Sequence, residues 1–111
     1  MPKIEQTEKI KPDEELSTIA FLAKSLSDEN RIRILLFLSQ GKESVSRIVE
    51  ELKLSQPLVS HHLKELKRSL LVKVERNGPF IYYDMADQRI ITILKDLQVL
   101  ADSLLANRKT F

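Results

Sequence analysis

The chain has 111 residues, 42% hydrophobic and 31% charged, with a formal net charge of +2 and no cysteine. That balance fits one small globular domain and excludes global disorder, disulfides, thiolate metal sites and thiol redox sensing. No apolar run approaches the roughly 18 residues of a membrane span, and the charged opening residues lack a signal peptide's apolar core, so the expected location is the cytoplasm.

Residues 1–11 are polar and aperiodic and read as a flexible N-terminal arm, leaving 12–107 as the domain proper. Pro12, Asp13, Glu14 and Glu15 predict a helix start, because proline suits a first turn and acidic side chains complement the helix dipole. Leu16, Ile19, Ala20, Ala23 and Leu26 then form an apolar stripe. Ser27 is the expected N-cap of a second helix. Its run of Ile32, Ile34, Leu35, Leu36, Phe37 and Leu38 leaves little to expose and marks the buried centre. Gly41 is expected to end it in a left-handed C-cap. A third, shorter helix should run from Ser44 or Val45 to about Lys53, with Val45, Ile48, Val49 and Leu52 inward.

Only Leu54 and Ser55 separate that helix from the next, which covers SQPLVSHHLKELKRS over Ser55–Ser69. Ser55 is the expected N-cap, and Pro57 falls in the first turn, where no intrahelical donor is required. Val59, Leu63, Leu66 and Leu70 share one face; Gln56, Ser60, His61, Lys64, Lys67 and Arg68 take the other. Two short helices joined by so tight a turn make a helix-turn-helix. A helix apolar on one side and polar to basic on the other fits the major groove of double-stranded DNA. His61 lies with Ser60 and Lys64 on the polar face, whereas His62 borders the apolar face and is expected to be a packed, hydrogen-bonded structural histidine. The two rings point about 100° apart, so they cannot comfortably chelate one metal.

After Leu71 the period changes to two, through Val72-Lys73-Val74-Glu75 and again from Ile81 to Met85. Asn77-Gly78 signals a hairpin, but Pro79 lacks an N–H, so a longer and looser tip is expected with Arg76 at its base. A hairpin directly behind a helix-turn-helix is a wing. The last helix opens at Asp87 and spaces Ile90, Leu94, Leu97, Ala101 and Leu104 as a heptad-like seam. About 20 residues would make it about 30 Å long, more than the core of one small domain covers. The stripe with Leu16 and Ile19 has a similar surplus, which predicts a homodimer through the first and last helices. The expected fold is mainly α with a small β-hairpin (α+β), a winged helix-turn-helix in the order α-α-α-α-β-β-α.

Charge follows the same plan. Between residues 53 and 76, six basic residues (Lys53, Lys64, Lys67, Arg68, Lys73, Arg76) face only Glu65 and Glu75, a net +4. Residues 1–15 carry three lysines against five acidic residues, a net −2. A solvated charged face would explain charge alone; on a helix-turn-helix it suits an anionic partner. Gln56, Ser60, His61 and Lys64, with Pro57 beside them, are the expected contacts to base edges or nearby phosphates. Lys67, Arg68, Lys73 and Arg76 are expected on the sugar-phosphate backbone.

The string Leu26-Ser27-Asp28 with Arg31-Ile32-Arg33-Ile34-Leu35, then Ser55-Gln56-Pro57 with Val59-Ser60-His61-His62-Leu63-Lys64, then Arg76-Asn77-Gly78 with Tyr82-Tyr83, resembles the ArsR/SmtB family of winged-helix transcriptional repressors. The resemblance covers about residues 13–105 and implies a homodimer that binds operator DNA and leaves it when an inducer binds. The family's sensing residues do not carry over. Its C-V-C pair at the start of the third helix corresponds to Ser44, Val45 and Ser46, and a protonated hydroxyl is a poor ligand for soft metals. Its last-helix zinc pattern D-x-H corresponds to Asp87 and Arg89, with Asp102 further on and no histidine in the helix. No metal site, cofactor or inducer is therefore assigned.

The expected function is a sequence-specific DNA-binding transcriptional regulator, a homodimeric repressor. The alternative is a winged-helix protein-interaction module without DNA binding, which would have no need of the basic face. With two glycines and two adjacent histidines, there is no catalytic triad or phosphate-cradling loop, so no enzyme is expected.

Overall fold

The computed structural model describes residues 14–108; the arm at 1–11 and the start signal at Pro12-Asp13 lie outside them. The elements are α1 Glu14–Ser25, α2 Glu29–Leu38, α3 Val45–Leu52, α4 Gln56–Arg68, β1 Val72–Asn77, β2 Phe80–Met85 and α5 Arg89–Ala106. This is the α-α-α-α-β-β-α order that the periodicities predict.

The core forms where α2, α3 and α4 meet the base of the hairpin. Ile34, Leu35 and Leu38 of α2, Ile48 of α3 and Val59, Leu63 and Leu66 of α4 are fully buried, closed by Leu71, Val72, Met85 and Ile90. α2 is central, although Leu36 is 44% exposed and only part of its apolar run turns inward. Arg33 Nη2 donates to the Leu52 carbonyl at 2.8 Å, so a cation from α2 satisfies the end of α3.

Local chemistry corrects three boundary expectations. The N-cap of α2 is Asp28, whose Oδ1 accepts from the backbone N–H groups of Asn30 and Arg31 at 2.8 and 3.2 Å. Ser27 does not serve; its hydroxyl instead turns back to donate to the Lys24 carbonyl at 2.7 Å, at the end of α1. Gly41 is no left-handed cap: α2 ends at Leu38 with Ser39 in a right-handed C-cap, and Gly41 has φ +146°. The wing tip is tight. Asn77 pairs with Phe80, leaving Gly78 and Pro79 as the two corners. Gly78 takes φ +62° ahead of a proline fixed near −65°, the pattern of a type II′ turn, and a corner proline need not donate.

Leu70 departs most from expectation. α4 stops at Arg68, so Leu70 leaves the apolar face and stands 79% exposed at φ +67°. The Leu71 N–H bonds the Leu66 carbonyl at 2.9 Å and the Leu70 N–H bonds the Lys67 carbonyl at 3.0 Å, which is a Schellman motif with leucine in the position glycine prefers. A left-handed conformation costs an L-residue about 1–2 kcal/mol, and glycine's extra unfolded-state freedom returns part of that. Leu70→Gly should therefore stabilise the domain by about 1 kcal/mol, read as a higher denaturant midpoint at unchanged slope. A lower midpoint would show that Leu70 makes a compensating contact.

One backbone contact has no signal in the periodicities. Glu43, ahead of α3, forms an antiparallel bridge with Tyr83: N to O distances are 2.9 and 2.8 Å in the two directions. The hairpin is thereby bonded to the segment that leads into the helix-turn-helix.

Candidate nucleic-acid interface

Ser55 Oγ accepts from the Leu58 N–H at 3.3 Å, and Pro57 sits in the first turn, so α4 begins as its sequence dictates. Val59, Leu63 and Leu66 anchor it to the core. Gln56, Pro57, Ser60, His61, Lys64, Lys67 and Arg68 are all exposed, and they form one continuous face. Arg68 forms an exposed 3.4 Å ion pair with Glu65, while Lys64 and Lys67 have no carboxylate partner among the described residues. The turn before α4 is made by Lys53 in a left-handed conformation, φ 55°.

The wing separates its two expected contacts. Side chains three apart on a strand point to opposite faces. Arg76 is paired with Ile81 on the face that continues down through Val74 and buried Val72. Lys73 lies on the other face opposite Asp84, alongside Glu75 and Tyr82. There Lys42 binds Glu75 at 2.6 Å and lies 5.6 Å from the Tyr82 ring centroid. Phe80 and Ile81 share a cleft of about 440 Å³ with Ser44, Ser46, Val49 and Gln56, which puts the wing tip beside the start of α4. Arg76 thus faces the same side as α4, whereas Lys73 stands among acidic neighbours.

His62 is 5% exposed and couples α4 to the first turn of α2. Its Nδ1 accepts from Arg31 Nε at 3.2 Å, and its Nε2 lies 3.7 Å from Asp28 Oδ1. Burial pushes the imidazole below its usual range, opposed by Asp28 and assisted by Arg31 and His61. The neutral ring this favours leaves Nδ1 as the acceptor that the Arg31 contact requires. Asp28 and Arg31 escape a reading by periodicity because no local spacing links them to a residue 34 and 31 positions away.

The positions corresponding to the family's metal ligands do not fit a metal. Ser44 Oγ is the N-cap of α3, accepting from the Arg47 N–H at 3.2 Å, and stands 3.2 Å from Ser46 Oγ. Two neutral hydroxyls so engaged offer no soft donor. Asp87 is gripped by the Arg89 guanidinium at 2.7–3.2 Å, which holds its carboxyl down at about 2. Among the described residues no group of three or more His, Cys, Asp or Glu side chains is placed to hold a metal ion.

A family model for the bacterial regulatory proteins of the arsR family matches residues 28–74, from the N-cap of α2 into the wing. Over 83 residues the chain is 36% identical to an HTH-type transcriptional regulator of Methanocaldococcus jannaschii, covering 74% of this chain and 93% of that one. The chain belongs to the arsR family. This arsR-family chain is also 38% identical over 85 residues to the transcriptional repressor SmtB of Mycobacterium tuberculosis, covering 77% of its own length and 63% of that protein's. Among solved structures it is similar to a homodimeric winged helix-turn-helix DNA-binding domain from Mycobacterium bovis. The TM-score there is 0.71 at 29% identity, with 86% and 89% of the two chains covered. The chain is a winged-helix transcriptional regulator of the arsR family, and no described helix is long and apolar enough to cross a membrane.

Proposed function

We propose that this regulator acts as a homodimeric repressor whose α4 reads the major groove of a pseudo-palindromic operator. The observation that carries the reading is the α4 face: small polar groups at its N-terminal end and basic ones along it, with Lys64 and Lys67 unneutralised by any described carboxylate. Gln56, Ser60, His61 and Lys64 reach base edges, Pro57 packs beside them, and Lys67 and Arg68 bind phosphates. Arg76 extends these contacts from the wing. Lys73, facing Asp84, contributes through long-range attraction more than through a contact. The dimer forms through Leu16, Ile19, Leu94, Leu97, Ala101 and Leu104, while Ile90 is 6% exposed and belongs first to the protomer's own core. Two-fold symmetry spaces the half-sites about one helical turn, or roughly 34–36 Å, apart. The regulator works in the cytoplasm and has no enzymatic activity.

Selection of genomic fragments by the purified protein tests the reading and would return a sequence with two-fold symmetry. Lys64→Ala and His61→Ala should each weaken binding to that sequence by about 1–3 kcal/mol while leaving the fold and dimer intact. Equal binding by wild type and variants in a gel shift would remove these two residues from the contact.

A further inference from the structure

We propose that Arg31 is a DNA-phosphate contact, held by His62 on the flank of α4 that the wing does not reach. The inference rests on the DNA-binding reading of α4 and extends it to a residue on α2. A helix lying in the major groove, about 12 Å wide, runs between two phosphate backbones, so both of its flanks can meet negative charge. The wing stands beyond Gln56 on one flank, where Phe80 and Ile81 share its cleft. Successive residues turn by about 100°, which puts His61 at the opposite edge of the exposed face and His62 beyond it. Arg31, half-buried and bonded to His62, stands on that second flank.

The partner chemistry points the same way. Arg47, Arg68 and Arg89 each bind a carboxylate, and Arg33 binds a helix carbonyl. Arg31 instead gives its Nε–H to a neutral imidazole nitrogen, 3.2 Å away. An imidazole acceptor fixes the plane of the guanidinium without cancelling its charge. Asp28, the carboxylate alongside, accepts the two backbone donors of the α2 cap through Oδ1 and attracts Arg31 at longer range, without an ion pair to its guanidinium. The terminal Nη groups meet no acceptor among the described residues. A planar cation fixed at its Nε, with both Nη groups unbonded among the described residues, is suited to a phosphate's oxygens.

Salt dependence separates a phosphate contact from a merely structural tie. The full chain is titrated into labelled duplex DNA of mixed sequence over a range of salt concentrations, and log K is plotted against log salt. Arg31→Gln should flatten the slope by about 0.9 for each protomer bound, with the thermal unfolding midpoint unchanged. Arg31→Lys, which keeps the charge and serves if the glutamine variant does not fold, should retain the wild-type slope. A glutamine variant with the wild-type slope, or a lysine variant with a flattened one, overturns the proposal. Salt-insensitive binding by the wild type would instead remove the DNA-binding reading on which it rests.

Discussion

Leu97→Glu is expected to convert the protein to a monomer and to lower operator affinity by about 10²–10⁴-fold, the advantage that linking two binding modules confers. Its side chain is half-exposed on the single chain, in an apolar arc of α5 that includes Ile93, Leu100, Leu104 and Leu105, each at least half-exposed. An arc this wide cannot be covered by the protomer's own core, to which α5 contributes Ile90 outright and Ile91 and Leu94 in part. α1 adds exposed Leu16, Ile19 and Phe21. A contiguous apolar surface on a small protein marks an interaction site, and a glutamate at its centre would have to be buried unpaired. Sedimentation equilibrium reads the association and a DNA titration reads the affinity. A variant that sediments as a dimer and binds as the wild type does would place the interface elsewhere.

Leu35→Ala is expected to cost about 2–5 kcal/mol, through lost transfer free energy and the cavity left behind. Leu35 has no exposed surface and belongs to the core on α2, the helix that packs against α4 and β2. A domain of this size has about 5–15 kcal/mol in total, so the variant should unfold at far lower denaturant. Leu36→Ala is the internal control. Its side chain is 44% exposed, and the change should fall within about 0.5 kcal/mol of wild type. If the two variants melt together, the boundary of the core has been drawn wrongly.

The contrast between Leu35 and Leu36 shows where a sequence speaks clearly and where it does not. Features set by residues near one another are legible: the Ser55 cap, Pro57 in the first turn, the three-residue offset that puts His62 with Val59, and the shift to a period of two at Val72. Choices between neighbouring residues of similar chemistry are less so. Ser27 and Asp28 are both good caps, and the decision falls to which side chain the end of α1 has already engaged. Leu70 continues the apolar spacing of α4 but lies two residues past its end. Contacts between distant segments leave no periodic trace, so the Glu43–Tyr83 bridge, the Arg33 cap on α3 and the Arg31–His62 pair emerge only in three dimensions. The opposite facing of Lys73 and Arg76, by contrast, follows from strand parity alone and is legible in the sequence.

The Glu43–Tyr83 bridge has a mechanical consequence. Two backbone hydrogen bonds tie β2 to the residue immediately before the α3 cap, and α3 is joined to α4 by a three-residue turn. Wing, α3 and α4 are therefore tied to one another through the backbone. In the proposed dimer, what remains adjustable is the distance and angle between two such units, which the apolar arcs of α1 and α5 would set far from the DNA groove. Such a dimer would work as a pair of calipers, with its fit to DNA decided at the pivot.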